Sequence, residues 1–260
     1  MTRLNPLAYR VENLRWADAA SRPFAEAKRR NFSYDQAVVE VQLGPSGNTL
    51  AGRLVARGLK PNFAYQIKLG GKPTAIFGED GDDWANEQLG LAGRWWAEQF
   101  DAASDNLIRA WRSNDAEYHE RRSRNFADET SRVVFTGYLL FDFILTDARG
   151  EASKDLSLES SYHVLWKTTQ RPPRENDSPP RHHTLVALPE SGWYDSPLPE
   201  EAVAVYAEWE PGRALPGECR LPAGYYDAQL ILTEESFHER EPWSGNWASV
   251  LACDLSFTIQ

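Results

Sequence analysis

The sequence predicts a mainly β protein, an antiparallel β-sandwich carrying a helical insertion. Three observations lead there. Apolar residues recur at every second position in runs such as "AVVEVQL", "FAYQIKL" and "WASVLACDLSFTIQ", the period of a strand with one face buried. Turn clusters, "GPSGN", "GLKPN" and "RPPRENDSPP", separate those runs. Ten Trp, ten Tyr and eleven Phe stand against a single Met, and bulky rings suit pleated, half-buried surfaces.

Taken in order, residues 1–36 show no clean period and are expected as an N-terminal extension, with a short helix over Ala17 to Lys28 and Pro23 near its start. Residues 37–260 are expected as the sandwich domain. Ala37 to Leu43 opens it. A second alternation sets Leu50, Gly52, Leu54 and Ala56 on one face, and a third sets Phe63, Tyr65, Ile67 and Leu69 inward. Short turns between them predict an antiparallel meander. The period then changes. Asp82 or Asp83 can cap a helix whose stripe is Ala85, Leu89, Ala92, Trp96 and Phe100, and Ser104 can cap a second, so residues 80–129 are expected to be a mainly helical insertion.

Strands resume at "RVVFTGYLLFDFILTD", apolar on both faces except for Asp142, which predicts a central strand covered on both sides. Leu156 to Thr168 is next. Four prolines in the ten residues of "RPPRENDSPP" force a loop. "HHTLVAL", "AVAVYAEWE", "YYDAQLILTEE" and the terminal alternation complete the set.

Two segments, "LVARGLKPNFAYQIKL" and "CRLPAGYYDAQLILTE", each place Leu, then Pro or Gly, then an aromatic just before an alternating strand. This resembles the turn and tyrosine corner of fibronectin type III and immunoglobulin-like sandwiches. The resemblance implies a fold and no activity, because such sandwiches host many functions. It also suggests an internal repeat, with two sandwich-like halves at 37–129 and 130–260 as the alternative organisation.

A net charge of −10 argues against a nucleic-acid partner, which needs basic clusters. No stretch has the length of a membrane-spanning helix. The first residues lack the apolar region of a secretory signal, so the expected compartment is the cytoplasm unless a leader was removed. Cys219 and Cys253 allow a disulfide without requiring one.

The chain holds no phosphate loop, dinucleotide fingerprint or nucleophile elbow. Two candidate sites remain. Trp193, Tyr194 and Trp243 fall in Gly/Ser/Pro-rich loops beside acidic residues and Asn, the composition of a sugar-binding surface, on which a ring stacks against the apolar face of a sugar and polar groups take its hydroxyls. The leading expectation is therefore a non-enzymatic binding module with a glycan or protein partner. The alternative is a zinc or copper site built from His163, His183 and His238, with redox or hydrolytic activity. It rests on the proline loop, which would pair the strands carrying His163 and His183. Adjacent carboxylates such as Glu234 and Glu235 point to opposite faces of a strand, which disfavours a glycosidase pair.

Overall fold

Ten strands form one antiparallel sheet and three more form a second in the computed structural model, which describes residues 1–7, 15–71, 84–101, 106–113, 131–158, 165–209, 221–235, 237 and 247–260. The strands are β1 (Thr2–Pro6), β2 (Val38–Leu43), β3 (Ala51–Arg57), β4 (Ala64–Gly71), β5 (Arg94–Asp101), β6 (Asn106–Ser113), β7 (Ser131–Leu145), β8 (Ala152–Ser157), β9 (Leu165–Lys167), β10 (Arg181–Leu185), β11 (Glu201–Ala207), β12 (Gly224–Glu235) and β13 (Trp247–Ile259). Two short α-helices accompany them, α1 (Glu26–Asn31) and α2 (Trp84–Ala92).

The large sheet runs in the order β6-β5-β7-β4-β12-β13-β1-β2-β3-β8. It is curled. β7 and β8 are consecutive in the chain yet belong to opposite arms. A turn at Asp147–Gly150 joins them, and Lys154 Nζ on β8 lies 3.1 Å from Asp142 Oδ2 on β7. The sheet therefore returns on itself as a half-barrel. Gly150 makes the turn possible: its φ is +75°, and a Cβ there would lie 2.0 Å from the Leu59 carbonyl oxygen.

The alternation in the sequence places the core. Leu4, Val39, Val41, Leu54 and Leu156 from one arm meet Ile67, Leu69, Leu230 and Leu255 from the other. Burying each such side chain stabilises the fold by about 1.5–3 kcal/mol. The outer face of β4 and β7 is covered as well: Ala64 and Phe143 pack under Leu165, Val205 and Ala207 of the three-stranded sheet β10-β11-β9. Every residue of β4 is buried, including Gln66 and Lys68, with the second layer over Ala64. β7 lies between β5 and β4, a central position that its two-sided apolar run predicts.

The mainly β, antiparallel class agrees with the sequence, while its arrangement differs in four respects. β2 and β3 pair antiparallel as expected, but β3 and β4 do not, so the three-strand meander is not completed. β3 pairs with β8, and β4 pairs with β7 and β12. The "GLKPN" stretch is a crossover between arms, with Gly58 and Asn62 both at positive φ. Second, the helix expected through Phe100 stops at Ala92. Gly93 donates to the Leu89 carbonyl and sits where a Cβ would lie 2.1 Å from the Tyr138 oxygen. Beyond it, "RWWAEQFD" and "NLIRAWRS" are strands β5 and β6. Their aromatics are strong strand formers, and β7 offers a ladder that overrides the helical spacing. The remainder of the expected insertion, 114–129, lies outside the described residues. Third, residues 1–36 contribute a strand: β1 pairs with both β2 and β13. Fourth, the early helix is only Glu26–Asn31, because Pro23 is taken up in a bridge with Ala17.

Candidate functional site

Residues 15–37 cross one end of the half-barrel, and the side chains they cover include a fully buried ion pair. Glu234 falls on the apolar phase of β12, in line with Leu230 and Leu232, and is fully buried. Its partner is Lys60, from the crossover before β4. Lys60 Nζ lies 2.6 Å from Glu234 Oε1, with both side chains at 0% exposure. The ammonium also donates to the Arg15 carbonyl at 2.5 Å, and Glu234 Oε2 accepts the Arg15 N–H at 3.0 Å. Both charges thus hold the main chain of one residue. Trp16 and Phe63 line the ammonium, with ring centres 4.1 and 4.9 Å from Nζ.

Two tyrosines extend the network. Tyr34 donates to Glu234 Oε1, its hydroxyl is 2.9 Å from that of Tyr65, and Tyr65 accepts the Lys60 N–H at 3.0 Å. With the Tyr34 proton committed to the carboxylate, Tyr65 must donate to Tyr34. Burial pulls the Lys60 ammonium down to about 8, against the opposing pull of Glu234. Burial, followed by Tyr65 and Glu234, pushes the Tyr34 phenol up.

A second contact joins the same segment to the loop after β10. Tyr194 donates to Asp18 Oδ2 at 3.0 Å and accepts from Asn62 Nδ2 at 2.9 Å. Burial first, with Asp18 adding to it, pushes its phenol up to about 12. Around these groups the aromatics form one cluster. Trp193 packs edge-on to Phe24 and Phe32, with centroids at 5.0 and 5.3 Å, and Phe32 meets Trp16 at 6.2 Å. Phe24 is fully buried, whereas Trp16, Phe32 and Trp193 are half-buried and reach the surface.

The structure distributes the sequence-derived candidates unequally. Trp193 is half-buried at this end, with Lys28 Nζ 5.2 Å from its ring centre. Tyr194 is buried, its hydroxyl committed to Asp18 and Asn62. Trp243, His163 and His238 lie outside the described residues. His183 is half-buried on β10, facing Val203 of β11 in the ladder. Its Nε2 is buried and has no hydrogen-bond partner among the described residues, and burial, with Arg181 beside it, lowers its pKa. The strand pairing expected around it is corrected. β9 and β10 lie on opposite sides of β11, so the proline loop spans two strand spacings and makes no hairpin. Among the described residues no group of three or more His, Cys, Asp or Glu is placed to hold a metal ion. Cys253 carries a free, buried thiol, and Cys219 lies outside the described residues. No helix among the described residues is long and apolar enough to cross a membrane.

Sequence reasoning overlooked Lys60, Asp18 and Tyr34. For Glu234 a signal existed, a carboxylate on the apolar phase of a strand. For Lys60 none did, because a lysine in a Pro-containing turn ordinarily faces water.

Fold and site together define a mainly β protein whose curled antiparallel sheet is stoppered at one end by its own chain. No protein-family model matches this sequence, and no curated protein or solved structure is similar to it.

Proposed function

We propose that the protein is a non-enzymatic binding module whose partner, a glycan or a protein, meets the stoppered end of the half-barrel. The observation behind this reading is the contiguous group of half-buried rings there, Trp16, Phe32 and Trp193. Rings fixed edge-on by a buried neighbour lose little conformational freedom on binding, which favours them as anchors. Exposed charged residues stand close in sequence to them, Arg29, Arg30 and Asp35 near Phe32 and Asp195 near Trp193, and can supply polar contacts. The two tyrosine corners support kinship with immunoglobulin-like modules: Tyr226 donates to the Pro222 carbonyl at 2.9 Å, and Tyr65 accepts from the Lys60 N–H. Calorimetric titration against hits from a glycan array tests the reading. Trp193→Ala is expected to weaken binding at least about tenfold. Affinity unchanged in Trp193→Ala and Trp16→Ala would move the contact surface elsewhere.

A second reading is a zinc or copper site that includes His183. The favouring observation is its buried Nε2 without a partner among the described residues, on an imidazole whose pKa is lowered by burial and by Arg181, which favours the neutral form that ligates. Elemental analysis of the purified protein and of His183→Ala checks it, and metal content equal in the two proteins would remove His183 from any site.

A further inference from the structure

We propose that residues 15–37 form a strap that opens as a unit, and that the Lys60–Glu234 pair is its lock. The pair thereby acts as the positioning element of the Trp16–Phe32–Trp193 surface. The regulatory part of this inference rests on the binding reading above; the opening itself does not.

Connectivity supports a separate unit. Among the described residues the strap makes no ladder with the sheets, and its one bridge, Ala17 with Pro23, is internal. Its main-chain ties to the barrel end are few. The Arg15 N–H and C=O are held by Glu234 and Lys60, Ala19 N donates to the Asn62 carbonyl at 2.8 Å, Ala25 N donates to the Trp193 carbonyl at 2.8 Å, and the Ala37 carbonyl accepts from Arg3 Nη2 at 3.1 Å. α1, at its centre, buries no residue, and the strap meets the core on either side of it through Phe24, Tyr34 and Ala37.

The chemistry of the lock supports reversibility. Lys60 and Glu234 grip both polar groups of one peptide residue, so they fix the strap's register through its backbone whatever side chain stands there. Charge-assisted bonds of this kind are stronger than neutral ones. Yet the charges are dry only while the strap covers them. Opening returns both to water and recovers the desolvation cost of a buried pair, which an apolar plug of equal size would not recover. The lock therefore narrows the gap between closed and open. Tyr34 and Tyr65, the other titratable groups in contact with the pair, and the Arg15 side chain complete its polar surroundings.

Opening carries Trp16 and Phe32 away from Trp193 and dismantles the proposed contact surface. Residue-resolved amide exchange by NMR tests this without any partner, so its outcome is independent of the binding reading. In the unaltered protein the amides of Arg15, Ala19 and Ala25, each bonded outside the strap, are expected to share one opening constant, at least about tenfold larger than that of amides in β12 and β13. A single constant shared by strap and barrel would overturn the proposal. In Lys60→Met the strap constant is expected to rise a further tenfold or more, on the order of the loss from stranding a buried charge; an unchanged constant would remove the pair as the lock. Should that variant fail to fold, Lys60→Met/Glu234→Met leaves no uncompensated charge. Its strap is expected to open no more often than the unaltered one, and tenfold more frequent opening would sink the hydration argument.

Discussion

Two cation–carboxylate clusters packed on aromatic rings occupy opposite layers of this protein, and they behave differently because of water. At the stoppered end Lys60 and Glu234 are wholly buried, and each is also bonded to the Arg15 backbone. On the outer sheet Arg171 lies between Trp166 and Tyr206, 5.0 and 5.2 Å from the ring centres, and reaches Asp177 at 2.8 Å and Glu208 at 3.3 Å. Arg171 keeps 14% and Glu208 19% of their side-chain surface in solvent, and Arg174 backs them from the outside. The chemistry is nearly the same. Water can reach the second cluster and dissolve a broken pair, while at the first a broken pair leaves a charge stranded in the core.

That contrast orders the expected effects. The largest belongs to Lys60→Met, which leaves Glu234 uncompensated and is expected to cost about 3–5 kcal/mol in chemical denaturation. Lys60→Met/Glu234→Met should recover most of that loss. A double variant as unstable as the single would show that packing, and not the stranded charge, sets the penalty.

Next comes pH. Burial lowers Lys60 from 10.5 to about 8. Between those values the unfolded chain binds a proton at Lys60 that the folded chain has released, so stability rises as pH climbs from about 8 toward 10. Above about 10 the sign reverses. Burial pushes the phenols of Tyr34, Tyr194 and Tyr226 up, and the unfolded chain ionises first. Tm should therefore gain a few degrees, roughly 2–6 °C, between pH 8 and 10, and the gain should vanish in Lys60→Met/Glu234→Met. A monotonic fall over that interval in the unaltered protein would contradict the dry environment assigned to Lys60.

At the outer cluster Arg171→Met keeps an aliphatic side chain beside the rings and removes the charge. Urea denaturation should show a loss of about 1–2 kcal/mol, because Asp177 still accepts the Trp209 and Arg174 N–H groups. Arg174→Ala is the smallest. Its side chain is 61% exposed and 3.4 Å from Glu208, and such a pair contributes under about 0.5 kcal/mol. A larger effect would mean that the proline loop depends on this arginine for its fold.

Much of this was legible beforehand. The alternation of "AVVEVQL" and "FAYQIKL" placed β2 and β4 within one or two residues, and the two-sided apolar run of β7 foretold its central position. The turn-then-aromatic spacing ahead of β4 and β12 was visible locally, and Tyr65 and Tyr226 each hydrogen-bond to main chain a few residues upstream. What escaped was pairing. Nothing in "GLKPN" distinguishes a hairpin turn from a crossover, and nothing near "GRWWAEQF" announces that β7 has a free edge to capture it. The candidate site was read less well. Tyr194 carries the composition of a binding loop, but Asp18 and Asn62 hold its hydroxyl in the interior.

By itself the sequence determined the class: period-two patterning, aromatic weight and turn chemistry act within a few residues, and they commit this chain to antiparallel strands with an apolar face. Only the tertiary structure decided that those strands curl into a half-barrel, that the N-terminal residues stopper it, and that Lys60 and Glu234, 174 positions apart, meet as a buried pair. The physical reason is range. Local preference sets which way a side chain points, while partner and solvent are set by which distant segment covers it.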